Sequence, residues 1–311
     1  MTKERKTIVI SNIFLIIAAA IWGSNYVFQK IVATEIGPFT FMAARSLLGA
    51  LTILPIVLFQ EKKEPKRAQI NDPYSLKDPR YVKRLTKIAI FCGCINVTGS
   101  VLVQWGLIYT DASRASFLNA IYIIFVPILG LMFFHKKTSL NTWVGVILSV
   151  IGLYLLCVTG GFYIAMGDVL VLVSTLFFAL HIQLVSKFVH ELKGMHLACL
   201  EFFFASIYCT IMAFFIESPS WQQLLDCSYS ILFAGILGIG VCYALQFTAQ
   251  KYTDPTIAAL LMSSESVFGC LGGVLVLGET FTARELVGVV VIVAAIVFAQ
   301  LPSKAMRKTG A

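Results

Sequence analysis

The feature that most constrains this chain is a succession of stretches, each about 20 residues long, that carry almost no charge. One such stretch can be a buried core helix. So many cannot, because a chain of 311 residues has only one or two soluble cores to fill. Apolar residues make up 58% of the sequence and charged ones 13%, against roughly 45–50% and 25% in ordinary soluble domains. At about 1.5 Å of rise per residue, each stretch crosses a hydrocarbon layer about 30 Å thick. The runs are continuous rather than alternating, which selects helices over barrel strands. The expected fold class is an all-α integral membrane protein.

The pattern predicts ten spans, over 10–33, 39–59, 87–109, 115–134, 141–159, 167–187, 196–216, 229–250, 256–277 and 285–302. Turn and cap residues punctuate them: Gly37-Pro38, Thr159-Gly160-Gly161, Ser218-Pro219-Ser220, Asp254-Pro255 and Thr280-Phe281-Thr282. The first run, beginning at Ile8, is longer than a signal-peptide core and is interrupted by Trp22, Asn25 and Gln29. It reads as a retained first helix.

An even number of spans puts both termini on one side, and the basic residues say which. Of 24 Lys and Arg, twenty fall on the side of the termini, nine of them in the 60–87 loop. Only Arg114 and Arg284 fall on the other side, while Lys30 and Arg45 lie within spans. Positive residues stay inside, so both termini are expected in the cytoplasm. The net charge of +8 therefore reflects topology and gives no reason to expect nucleic acid as a partner. The 60–87 loop holds too few apolar residues for a core of its own; lipid binding or regulation are its alternative roles. The eight cysteines form no CxxC pair and lie mostly within apolar runs, where thiols act as small hydrophobes.

Displacing the sequence by 143 residues superposes 104–152 on 247–295 without a gap. Tyr109-Thr110-Asp111 meets Tyr252-Thr253-Asp254, Ala115 and Leu118 meet Ala258 and Leu261, Phe125 meets Phe268, and Gly130 meets Gly273. Val144-Gly145-Val146 meets Val287-Gly288-Val289. The chain thus divides into 10–159, with its cytoplasmic loop, and 167–302. Five spans per half force the second copy to enter the membrane from the opposite face. Such inverted repeats are built for alternating access, with the substrate held near the midplane where the halves meet.

Several motifs along nearly the whole chain resemble the drug/metabolite transporter superfamily, in its EamA branch. They are Trp22-Gly23-Ser24-Asn25 with Lys30 and Arg45, then Gln104-Trp105-Gly106-Leu107 through Ala115-Ser116-Phe117-Leu118, and Leu275-Val276-Leu277-Gly278-Glu279. Ser264-Glu265-Ser266-Val267-Phe268 is close to the family's Glu-Pro-Val-Phe run, with Ser266 in place of proline. His135-Lys136 stands where many relatives have Gly-Glu. The resemblance implies a ten-helix metabolite carrier of the cytoplasmic membrane, often an exporter of amino acids or related compounds. It also implies a central cavity lined by spans one, three, four, six, eight and nine.

Polar residues inside the spans nominate the site, since each is costly in hydrocarbon. Glu265, near the middle of span nine, reads as a proton-titrating or amine-binding carboxyl, as protonated polar glue between helices, or as a local structural residue at a helix bend. Its repeat mate is Tyr122, which shares a helix face with Asn119 and is a substrate contact or an ordinary interface aromatic. Trp22, Asn25 and Gln29 form a stripe on span one, matched on span six by Ser174, Phe178 and His181. His181 is a candidate proton carrier, with a neutral hydrogen-bonded histidine as the alternative. Asn96, Ser100 and Gln104 share a face of span three, and Gln246 and Gln250 add polar groups to span eight. These stripes suit cavity lining and interhelical hydrogen bonds equally. Arg45 suits a substrate carboxylate, or a structural pairing with a helix C-terminus or an acid, and Lys30 can snorkel to the interface. Gly269-x-x-x-Gly273, with Gly235, Gly238 and Gly240, predicts close packing between helices of one half.

The function these residues predict is secondary transport of small metabolites by alternating access. Export of amino acids or related amphipathic compounds, coupled to protons or to the substrate gradient, is the leading form. A multidrug or quaternary-ammonium antiporter is the alternative. No HExxH, nucleophile elbow or Walker A occurs, so neither an enzyme nor an ATP-driven pump is expected. No cofactor is expected. The partners are a small-molecule substrate and the bilayer, with the protein a monomer or homodimer.

Overall fold

The computed structural model describes residues 3–63, 74, 76–157, 165–269, 271 and 282–300. The Thr159-Gly160-Gly161 turn, Cys270, Gly273, the 275–279 motif, Thr280-Phe281 and the basic tail beyond 300 lie outside the described residues, as does 64–73 of the 60–87 loop.

The described residues are predominantly helical, with no strand among them. In order come α1 (Lys3–Ile31), α2 (Pro38–Lys63), α3 (Pro79–Tyr109), α4 (Ala112–Ala120), α5 (Tyr122–Phe134), α6 (Leu140–Cys157), α7 (Met166–Phe188) and α8 (Gly194–Ile216). Two short helices, α9 (Trp221–Asp226) and α10 (Ser228–Leu232), lead into a π-helical segment, Phe233–Val241. Then follow α11 (Cys242–Ala249), α12 (Pro255–Met262) and α13 (Ala283–Ala299). Among the described residues, seven helical runs are long and apolar enough to cross a membrane, counting α4 with α5 and α10 through α11 as one each. Leu140–Leu156 is shorter and equally apolar in kind.

Local chemistry explains the boundaries. Asp78 and Asp254 cap α3 and α12 through backbone N–H groups of Arg80 and Thr256, each with a proline at the first helical position. Thr282 and Glu285 close a capping box at α13, and Ser220 and Gln223 another at α9. The N-terminus of α2 is capped from far away: Glu217 accepts from Phe39 N at 2.8 Å, Thr40 N at 2.9 Å and Thr40 Oγ1 at 2.6 Å. α5 ends at His135 with φ of 51°, a left-handed residue where glycine is the cheaper choice.

Three expectations need correction. The 60–87 segment is not loop throughout, since α2 continues to Lys63 and α3 begins at Pro79, capped by Asp78. Spans four and nine are not continuous helices, because the first breaks at Ile121 and the second at Ser263-Ser264. In the latter, the Ser263 and Ser264 hydroxyls bond back to Leu260 O and Leu261 O at 2.8 and 2.6 Å, competing with the helical ladder. Finally, the glycine contacts join the two sequence halves instead of helices within one. A Cβ on Gly23 would lie 2.3 Å from Glu265 O and 2.7 Å from Gly269 N, and one on Gly235 would meet Arg45 O at 3.0 Å. The small residues are where backbones from the two halves touch.

Packing follows the same logic. α2 lies against α8, α3 against α7, α1 against the π-helical segment and α11, and α6 against α13. At the α6–α13 crossing, Gly152 and Gly288 each leave room for the other's carbonyl oxygen. Large apolar side chains such as Phe214, Phe215, Leu131 and Val290 remain on the outside, as a lipid-facing surface requires.

Candidate functional site

The two helix breaks meet at one cavity. Its wall takes Trp22, Asn25, Tyr26 and Gln29 from α1, Arg45 from α2, and Ser100 and Val103 from α3. Asn119 and Tyr122 flank the Ile121 break; Met262 and Glu265 flank the Ser263-Ser264 break. Phe178, His181 and Ile182 come from α7, and Tyr243 and Gln246 from α11. The cavity measures about 80 Å³, small beside the roughly 300–1,000 Å³ of ordinary ligand pockets. The helices must part to admit a metabolite.

Each break re-aims a side chain. Ile121 and Ser264 are 143 residues apart, so Tyr122 and Glu265 each follow a break directly. Glu265 is 3% exposed, and its Oε1 accepts from Asn119 Nδ2 at 3.3 Å. Asn119 Oδ1 in turn accepts from Ser174 Oγ at 3.4 Å. Ser266, where the resembling family has proline, donates to Ser116 O at 3.1 Å and ties the second break to α4.

Arg45, 7% exposed, donates from Nη1 to Gln29 Oε1 at 2.8 Å and lies over the Phe41 ring. Its Nε has no hydrogen-bond partner among the described residues. The wall therefore presents a cation and a carboxyl to the same space. Trp22 donates to Gly238 O at 2.8 Å, inside the π-helical segment, and stacks edge-on against Tyr243.

Of the residues the sequence nominates, Trp22, Asn25, Gln29, Ser100, Asn119, Tyr122, Phe178, His181, Gln246 and Glu265 line the cavity. Asn96 and Gln104 stand behind its wall. Asn96 donates to Glu201 Oε1 at 3.0 Å and accepts from the Tyr243 hydroxyl at 3.0 Å. Gln104 donates to Gln29 O at 3.2 Å. The span-eight stripe divides: Gln246 faces the cavity, whereas Gln250 bonds to Ile182 O and Ser186 Oγ. Lys30 caps α3, donating to Leu107 O and Thr110 O at 2.8 and 2.9 Å.

Sequence reasoning missed Tyr26, Tyr243 and above all Glu201. Glu201 is wholly buried on α8, and His181 Nε2 lies 2.7 Å from its Oε1. The signal was present: a single carboxylate inside the 196–216 apolar run deserves the same question as Glu265. Nothing in the sequence marks Tyr26 or Tyr243, whose places depend on how α1 and α11 turn.

A helical bundle with apolar flanks around a small polar cavity, entered by broken helices from both halves of the chain, defines a polytopic membrane carrier. The chain belongs to the EamA-like transporter family, whose pattern matches residues 9–158 and again 165–300, and with it to the drug/metabolite transporter superfamily. It is a transporter, not an enzyme, and its partners are a small-molecule substrate and the bilayer. It is 26% identical to an uncharacterized transporter of Archaeoglobus fulgidus, over 94% of this chain and 86% of that one. It is 24% identical to one of Clostridium kluyveri, with 90% of each covered. The uncharacterized transporter YoaV of Bacillus subtilis is 21% identical over 89% of this chain and 92% of its own length. A solved crystal structure superposes with a TM-score of 0.71 over 97% of this chain and 99% of that one, at 12% identity, which speaks to the fold.

Proposed function

We propose that this transporter has ten spans arranged as two inverted five-helix repeats, covering 10–159 and 167–302, and that it exports amino acids or related amphipathic zwitterions across the cytoplasmic membrane. Both termini lie in the cytoplasm, as the distribution of basic residues favours. The repeat reading is supported by two separate family matches and by breaks at corresponding positions. The pairing of α6 with α13 and of α2 with α8 supports it too, since a twofold axis maps each pair onto itself.

The observation that carries the substrate reading is the presence of Arg45 and Glu265 on one buried cavity wall. Arg45 supplies the planar donor group a carboxylate fits, and Glu265 supplies an acceptor for an ammonium. Aromatic and apolar side chains on the same wall suit an apolar substituent. A proton on Glu265 and an amine on the substrate would compete for one carboxyl, which gives antiport its simplest form. Transport proceeds by alternating access, rocking one half on the other along the glycine contacts.

The test is counterflow in proteoliposomes with a panel of radiolabelled amino acids, comparing wild type with Glu265→Gln at several pH values. Equal flux by both proteins at every pH would end the role assigned to this carboxyl. A quaternary-ammonium efflux reading has one observation in its favour: Trp22, Tyr26, Tyr122, Phe178 and Tyr243 together line the cavity, and aromatic rings bind such cations. Dye efflux that amino acids do not inhibit would favour it.

A further inference from the structure

Behind the cavity wall lies a second buried acid that the transport reading leaves without a task. Glu201 is 0% exposed and His181 2%, and they face each other from α8 and α7. Oε1 of Glu201 is bonded twice, by Asn96 Nδ2 at 3.0 Å and by His181 Nε2 at 2.7 Å. Oε2 has no partner among the described residues. The Tyr243 hydroxyl holds the Asn96 amide by donating to its Oδ1, which turns the NH₂ toward Glu201. His181 itself lines the cavity, and its Nδ1 makes no hydrogen bond to the described residues.

We propose that His181 and Glu201 form a proton-binding site of the carrier, separate from Glu265. It rests on the transporter reading and assigns the proton a place of its own. With a neutral imidazole and an ionised carboxyl the pair carries one negative charge in a wholly buried position; one added proton makes it neutral. Buried charge without full compensation is costly, so the two states differ in how they stabilise their surroundings. A proton arriving from the cavity binds His181 Nδ1 while the Nε2 proton passes to Glu201 Oε1, and the reverse transfer releases it. No bond other than N–H and O–H changes.

The pair also sits where occupancy can be felt mechanically. Asn96 belongs to the first half of the chain and Glu201 to the second, so the hydrogen bond between them spans the interface that must slide. The titratable neighbours are the Cys92 thiol of α3 and the Tyr243 hydroxyl of α11, both within electrostatic reach of Glu201. Farther along the wall stand Arg45 of α2, Tyr26 of α1, Tyr122 of α5 and Glu265. α4 and α12 present only Asn119 and Met262 to the cavity.

The experiment is pH-difference infrared spectroscopy of the purified protein in nanodiscs, without substrate, following the protonated-carboxyl C=O stretch. A step assigned by its disappearance in Glu201→Gln is expected. The same step should persist in Glu265→Gln and move along the pH axis in His181→Gln. Should Glu201→Gln fail to fold, the His181→Gln displacement decides the matter alone. Identical titrations in wild type, Glu201→Gln and His181→Gln would overturn the site. Because no substrate is used, a protein that transports yet lacks this step loses the site and keeps its function.

Discussion

Asn119 donates its amide to the carboxyl of Glu265 at 3.3 Å, across 146 residues of sequence. The donor lies just before the Ile121 break and the acceptor just after the Ser263-Ser264 break. The bond therefore joins two interrupted helices at the cavity wall. Interrupted helices are tolerated within a membrane only where protein or a water-filled space re-satisfies them.

Glu265→Gln keeps the shape of this contact and removes the charge. Affinity for an amine-bearing substrate should fall by about 2 kcal/mol or more, as when one member of a buried charge pair is neutralised. The residual flux should lose the pH dependence that competition between proton and amine imposes. Flux measured in proteoliposomes over a pH series checks both.

Gln29 is the one side-chain acceptor for Arg45 among the described residues. Gln29→Leu strands the guanidinium and should lower stability by about 1–3 kcal/mol. The double variant Gln29→Leu/Arg45→Met should lose less than the sum of the single changes, because it also removes the stranded charge. Thermal unfolding in detergent measures the cycle.

Gly152 and Gly288 set the distance between α6 and α13. A Cβ on Gly152 would lie 2.9 Å from Gly288 O and 2.7 Å from Ile292 Cγ1, and one on Gly288 would lie 2.7 Å from Gly152 O. Either alanine variant should cost about 1–3 kcal/mol through overpacking. Gly194→Ala, whose nearest new neighbour is at 3.5 Å, is the matched control and should unfold near the wild-type temperature.

Glu217 caps α2 with three hydrogen bonds from residues 178 and 177 positions away. Glu217→Ala should reduce stability by about 1–2 kcal/mol, the range for a lost N-cap. Substrate affinity should stay unchanged, since Glu217 takes no part in the cavity wall. Calorimetry and binding on the same preparation separate the two effects.

Much of this molecule is legible in a single strand of letters. Hydrophobic length fixes the membrane class because hydrocarbon rejects charge and unpaired backbone, and that rule acts residue by residue. The same rule singles out Glu265, and helical periodicity groups Trp22, Asn25 and Gln29 correctly because both are local. Capping at Asp254 and Thr282 is local as well. Interruption at Ile121 is not: no glycine or proline marks it, and spans four and nine look unbroken on paper. Nor does periodicity say which member of a polar stripe faces the cavity and which ties helices together, as Gln246 and Gln250 illustrate.

The sequence by itself determined that the chain lives in a bilayer, that residues 247–295 echo 104–152 at an offset of 143, and that a few polar residues need a reason to be there. Only the tertiary structure decided their partners. Arg45 found Gln29, Asn119 found Glu265, and His181 found Glu201, over separations of 16, 146 and 20 residues. Burial energies are additive along a chain and can be read there. Partnerships depend on the rotation and crossing of whole helices, which the close approach of glycines such as Gly23 and Gly235 sets in three dimensions.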